Sequence, residues 1–342
     1  MVDEPPMFDW AESDDRPPPP SAPERRPASE PPDRRPSRRG FLLGGAAAVG
    51  VLAVGGGAYA WSQRDQEDPR PAGAWTLRPY TGLGAWVDAY DWSHALGGAT
   101  PAVGPSSAVE MAAAGAQTMF LQTAHGRVDA DVLEPTRLQS IIDAGHHAGL
   151  HVVAWYLPGF TDPAEDLRRL QAAAALDVDG LAVDLEAVSE KDPVVRNQRL
   201  LDLSRKLRAS LGPDKVLGAI TLSTTHLQVV NPAYWPGYPF DQLADTYDVV
   251  LPMAYWTLRK PELRHGDLYS AQEIQRLHTA VGADVPIHLI GGLAEDATVT
   301  DVSAMVSTIT DAGAIGGGLY DWATSTPQQW AALAPLRDLR TE

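Results

Sequence analysis

From about Thr76 onward, short apolar runs alternate with longer stretches in which apolar residues recur at helical spacing. The apolar runs, at 83–90, 116–122, 151–157, 180–186, 216–222, 247–255, 286–291 and 314–320, predict eight strands. Helices are predicted at 106–114, 136–148, 164–176, 194–211, 271–281 and 298–312. Several open on Ser, Thr or Pro, and Gly149, Gly212, Gly282 and Gly313 follow helix ends, which fits the chemistry of helix starts and stops. Strands alternating with helices pair in parallel, and eight such units predict an α/β fold of the (β/α)8 TIM barrel kind over residues 76–342. A doubly wound sheet is the alternative, but it would carry a Gly-rich phosphate turn after the first strand. Asp91-Trp92-Ser93-His94 stands there instead.

The chain of 342 residues is not uniform. Residues 1–36 hold Pro17 to Pro20, Pro31, Pro32 and Pro36 among acids and arginines, with too little branched apolar surface to offset ordering entropy, and they predict a disordered tail. At 37–61, Ser37-Arg38-Arg39-Gly40-Phe41-Leu42-Leu43 precedes a Gly/Ala/Val/Leu run through Trp61. This resembles the twin-arginine export signal Ser-Arg-Arg-x-Phe-Leu-Lys, departing at Leu43. Ala58-Tyr59-Ala60 offers a cleavage site, while an uncleaved anchor is the competing reading, since about twenty apolar residues span a bilayer. With Arg34, Arg35, Arg38 and Arg39 before the run and Asp65, Glu67 and Asp68 after it, the N-terminus stays cytoplasmic in both cases. The barrel then lies outside, secreted or anchored, behind a linker at 62–75.

The net charge is −17; residues 1–70 carry nine Arg/Lys against twelve Asp/Glu, giving −3 and leaving −14 for the rest. An acidic barrel repels phosphate backbones, which argues against nucleic acid as a partner. With no cysteine there is no thiolate nucleophile or Cys-based metal site, and the histidines form no metal signature such as H-E-x-x-H. The sequence implies no cofactor. His125 and His226, after the second and fifth strands, are placed to line the mouth.

The most informative stretch is Asp179-Gly180-Leu181-Ala182-Val183-Asp184-Leu185-Glu186. On a strand, Ala182, Asp184 and Glu186 share one face, so both acids point the same way at the C-terminal end, where barrels of this kind carry their chemistry. The run resembles the Asp-Gly-x-Asp-x-Asp-x-Glu strand-four signature of glycoside hydrolase family 18, the chitinase-like barrels. Met253-Ala254-Tyr255-Trp256 is similar to that family's Met-x-Tyr-Asp/Asn, and Trp322 matches the tryptophan that floors its sugar site.

The resemblance implies Glu186 as the general acid, Asp184 as the group that steadies the substrate's 2-acetamido group during its attack on the anomeric carbon, and Tyr255 as a hydrogen-bond partner of the same group. It implies an exported or membrane-anchored hydrolase acting on a polysaccharide or oligosaccharide. Trp86, Asp88, Trp155, Trp256 and Trp322 are the expected substrate contacts, and Asp88 or Asp91 would supply a second acid in a different scheme. The departures are Ala182 in place of the middle aspartate, Trp256 in place of Asp/Asn, and a third strand without Ser-x-Gly-Gly. They leave open a carbohydrate-binding barrel that has lost turnover. The plain alternative for Asp184 and Glu186 is a structural pair held by Arg or Lys.

Replacing Arg38 and Arg39 with Lys should retain the protein inside the cell, as read by fractionation. Unchanged external localisation would show that 37–61 works through another route.

Overall fold

The computed structural model describes residues 75–340. The expected tail, signal or anchor, and linker up to residue 74 lie outside the described residues, and among those described no helix is long and apolar enough to cross a membrane.

The eight expected strands are present: β1 (Gly82–Val87), β2 (Thr118–Gln122), β3 (His151–Tyr156), β4 (Gly180–Asp184), β5 (Leu217–Thr221), β6 (Val249–Pro252), β7 (His288–Leu293) and β8 (Gly316–Tyr320). All pair in parallel, in the order β6-β5-β4-β3-β2-β1-β8-β7. Parallel bridges Val250–Ile287 and Met253–Ile290, with Ala254 N donating to Ile290 O at 2.8 Å, join β6 to β7 and close the barrel. Closure leaves no sheet edge.

The helices are α1 (Pro105–Ala114), α2 (Pro135–His147), α3 (Pro163–Ala174), α4 (Pro193–Leu211), α5 (Gly266–Val281), α6 (Val299–Asp311) and α7 (Pro327–Leu333). Proline at the first helical position opens five of them, where its missing N–H costs nothing. Asp162 and Asp192 accept amide bonds from the first turns of α3 and α4. Helix α5 begins five residues before the expected 271. Its first residue, Gly266, crosses the Asp301 backbone so closely that a Cβ would lie 2.1 Å from the Asp301 oxygen, a tertiary requirement that local pattern does not signal. Helix α7 went unpredicted. No long helix follows β5; the chain instead makes one wide turn at His226–Val230 and a helical turn at Phe240–Leu243.

Inside the barrel, glycines make room for rings. Tyr80, in a short turn before β1, plugs the N-terminal end and donates to Leu181 O at 2.9 Å. A Cβ on Gly180 would stand 2.7 Å from the Tyr80 hydroxyl oxygen, and one on Gly218 2.9 Å from its ring. Above it, Trp86 stacks on Phe120 at 4.2 Å between ring centres, and Trp155 meets Trp86 edge-on at 6.2 Å. His288 joins this layer 4.9 Å from Phe120; burial pushes its imidazole down to about 4, so it is neutral.

A Cβ at Gly316 would meet two backbone oxygens, Gly82 O at 2.6 Å and Tyr80 O at 2.8 Å, which cannot swing aside. Gly316→Ala should therefore lower stability by about 1–3 kcal/mol in urea unfolding, while Gly126→Ala, with nothing within 4 Å, stays near wild type. Equal stability of the two variants would contradict this interior.

Candidate active site

The C-terminal rim gathers residues from β1, β4, β6 and β8. Strand β4 delivers Asp184 as its last residue and Glu186 two positions on, so alternation aims both along the same inward direction as Ala182. Asp179, the first acid of the same run, sits at the opposite end. There it is buried, accepting from Val152 N at 2.8 Å and lying 3.3 Å from His146 Nε2 and 3.4 Å from His151 Nδ1. One short strand thus uses its first carboxylate to tie β3 to β4 and exposes the other two to the site.

Asp184 and Glu186 are 4% and 8% exposed. Among the described residues neither carboxylate has a hydrogen-bond donor or a cation, and Asp184 Oδ1 is wholly buried without a partner. The Arg- or Lys-held structural pair is therefore not what the fold builds. Burial pushes the Glu186 carboxyl up to about 8, and burial together with the Glu186 charge pushes Asp184 well above the usual carboxylate range.

Tyr255, just past β6, is buried beside them. Its hydroxyl is pushed up first by burial and then by the charges of Glu186, Asp184, Asp321 and Asp88. Tyr255 packs 6.0 Å from Tyr320 on β8, and the Tyr320 hydroxyl donates to Asp88 Oδ2 at 3.1 Å. Asp88 is also the cap of the turn Ala89–Trp92, its Oδ1 accepting from Tyr90 N and Asp91 N. Oxygens of Asp88, Asp91 and Asp321 lie within 4.8 Å of one another and are the described set that could face a cation. Asp321 Oδ1 already accepts from Thr324 N and Oγ1.

Of the expected contacts, Asp88 and Tyr255 join the acids. Trp322 is at the same rim, half-buried, 4.9 Å from Trp330, with its amide donating to Trp86 O. Trp86, Trp155 and Trp256 are 1%, 2% and 1% exposed, the first two inside the barrel layer below the acids. Trp256 lies against β7, where a Cβ on Gly292 would come 2.9 Å from its ring. His125 packs edge-on to Tyr90 at 5.4 Å. His226 Nδ1 accepts from Arg259 Nη1 at 3.0 Å, and burial and that cation push its imidazole down to about 3. Sequence reasoning missed Tyr320 and Asp321. Strand alternation could have found Tyr320, since Gly316, Gly318 and Tyr320 share a face.

No family model and no curated protein sequence matches this chain. Solved structures do. A chitinase from Chromobacterium violaceum superposes with TM-score 0.51 at 14% identity, over 76% of this chain and 100% of that one. The Bacillus cereus spore cortex-lytic enzyme SleL gives 0.55 at 10% identity, over 76% of this chain and 75% of that one. A plant class V chitinase mutant from Cycas revoluta in complex with (GlcNAc)3 gives 0.53 at 12%, over 75% and 98%. The (β/α)8 barrel of this chain is the fold that these chitinases and SleL have. At these identities the likeness shows the fold alone.

Because folded Glu186 titrates at about 8 against an ordinary 4.5, the native state keeps a proton that the unfolded chain loses across that window. Stability supplied by this group is full below about 4.5 and falls as pH rises to about 8. Glu186→Gln should flatten that fall and be more stable than wild type at pH 8 by more than about 1 kcal/mol in urea unfolding. Parallel pH profiles for the two proteins would remove the buried-acid assignment.

Proposed function

We propose that this chain is an extracytoplasmic glycoside hydrolase that cleaves an N-acetylhexosamine-containing polysaccharide, with Glu186 as general acid. The observation that carries the reading is the pair of buried, unpartnered carboxylates at the end of β4. Leaving two such groups without donors is costly, and sites that do so are where acid–base chemistry is found. The compared chitinases and cortex-lytic enzyme, which share the fold, support a glycan rather than another substrate class.

In this reading Glu186 enters the reaction protonated, the direction in which burial pushes it, and gives its proton to the glycosidic oxygen as the bond to the anomeric carbon breaks. The oxygen of the sugar's own 2-acetamido group forms the new bond to that carbon. Asp184, the adjacent carboxylate, steadies the positive charge that develops on the acetamido group, and Tyr255 hydrogen-bonds to it. Water then attacks the anomeric carbon, the carboxylate of Glu186 takes up its proton, and the configuration is retained. The barrel's position outside the cell, reached through 37–61, belongs to the same proposal.

The test is a screen of the purified chain against cell-wall and exopolysaccharide substrates. Cleavage should be confined to polymers bearing 2-acetamido groups, with retention, and Glu186→Gln should lower turnover by about 10² to 10⁴ with folding preserved. Asp184→Asn should also reduce it. Cleavage of a polymer lacking that group would overturn substrate assistance and point to Asp88 or Asp91 as the second acid. Binding without turnover would favour the carbohydrate-binding alternative.

A further inference from the structure

Strand β4 ends at Asp184, one residue before the peptide unit that carries Glu186. Leu185 N still donates to Ile220 O of β5 at 2.9 Å, but the Leu185 carbonyl, which shares a peptide plane with the Glu186 nitrogen, has no strand partner at this point. It accepts instead from the Tyr238 hydroxyl at 3.0 Å, and the same hydroxyl meets the Leu222 backbone beyond β5. The phenol thus bridges the ends of two neighbouring strands where their own ladder has run out.

Tyr238 comes from the long connection between β5 and β6, the one place in the barrel where no full helix follows a strand. That connection is stapled down. The Tyr238 ring packs edge-on to Trp235 at 5.0 Å and tilted against Phe240 at 4.5 Å. The Arg196 guanidinium covers Trp235 at 3.8 Å, Trp235 Nε1 donates to Asn197 Oδ1 at 2.5 Å, and Asn197 Nδ2 donates to Gly237 O at 2.7 Å. Helix α4 therefore fixes the residues just before Tyr238 in the chain. Burial, then the charges of Asp184 and Glu186, hold its hydroxyl well above the usual phenol range, so it remains a donor across the pH range of a working enzyme.

We propose that Tyr238 is a positioning residue for Glu186, its hydroxyl fixing the Leu185–Glu186 peptide so that the acid projects into the site. The inference rests on the glycosidase reading for its kinetic consequence but not for its geometry. Glu186 has no side-chain partner of its own, so its direction depends on the backbone from which it hangs. A displacement of about 1 Å at a reacting group can cost about 10²-fold in rate.

Tyr238→Phe removes the hydroxyl and keeps the ring against Trp235 and Phe240. In the full-length protein it should lower kcat roughly 10- to 100-fold with KM within about twofold. It should also shrink the Glu186-linked fall of stability between pH 4.5 and 8, because a released carboxyl reaches water. Asn197→Ala, which loosens the connection without touching the acids, should move both readouts in the same direction by less. The stability arm needs no turnover: if no glycan is cleaved by the wild type, the glycosidase reading fails while the positioning role is still decided by the pH profile. Wild-type kcat with an unchanged profile in Tyr238→Phe would overturn the proposal, and so would a loss confined to KM.

Discussion

The structure depends on one geometric constraint, the two-residue alternation of side chains on a strand inside a closed parallel barrel. Closure by the β6–β7 bridges makes one face of every strand an interior with a fixed volume. Whatever a strand points inward must fit with what its neighbours point inward. Gly180 and Gly218 are small because Tyr80 is large, and Gly84 is small because a Cβ there would stand 2.6 Å from Phe120. The same alternation, continued along β4 from Gly180 through Ala182, brings Asp184 and Glu186 out at the rim with no cation beside them. Burial of the acids and packing of the barrel are thus a single consequence of parity, and the raised pKa values follow from both.

The same parity explains how much could be read in advance. The eight strands and six long helices were legible because each apolar run is short, bounded by Gly, Pro or a polar cap, and followed by helical spacing. The shared face of Asp184 and Glu186 follows from their separation alone. The start of α5 was not legible: Gly266 sits at a helix crossing with the Asp301 backbone, and nothing in the local residues announces that neighbour. Nor could the sequence separate the tryptophans. Trp86, Trp155, Trp256 and Trp322 all fall near strand ends, but only the packing puts the first three under the surface and leaves Trp322 half-exposed. Tyr238 was visible as one aromatic in a long loop, while its bond to Leu185 O spans 53 positions of sequence and has no local signature.

Ala182 stands where the strand-four signature that this run resembles carries an aspartate. In the β3–β4 register its partner is Trp155, and its Cβ lies 3.3 Å from where a Cβ on Gly218 would stand. A carboxylate at 182 would be fully buried and in register with that indole. The rings of Trp86, Phe120 and Trp155 pack together at this depth of the barrel, and β4 offers Asp184 no second inward carboxylate below it.

This exchange changes the electrostatics of the pair above it. An acid with a buried carboxylate neighbour below and another beside it can pass a proton between them; Asp184 has only Glu186. Two buried carboxyls that face no cation cannot both ionise cheaply, so the pair titrates as a unit and holds a proton to higher pH than free carboxyls do; in the proposed reaction that is the proton the general acid gives. The ring layer of Trp86, Phe120 and Trp155 puts no cation beneath the two acids, so burial goes uncompensated and raises both above the usual carboxylate range.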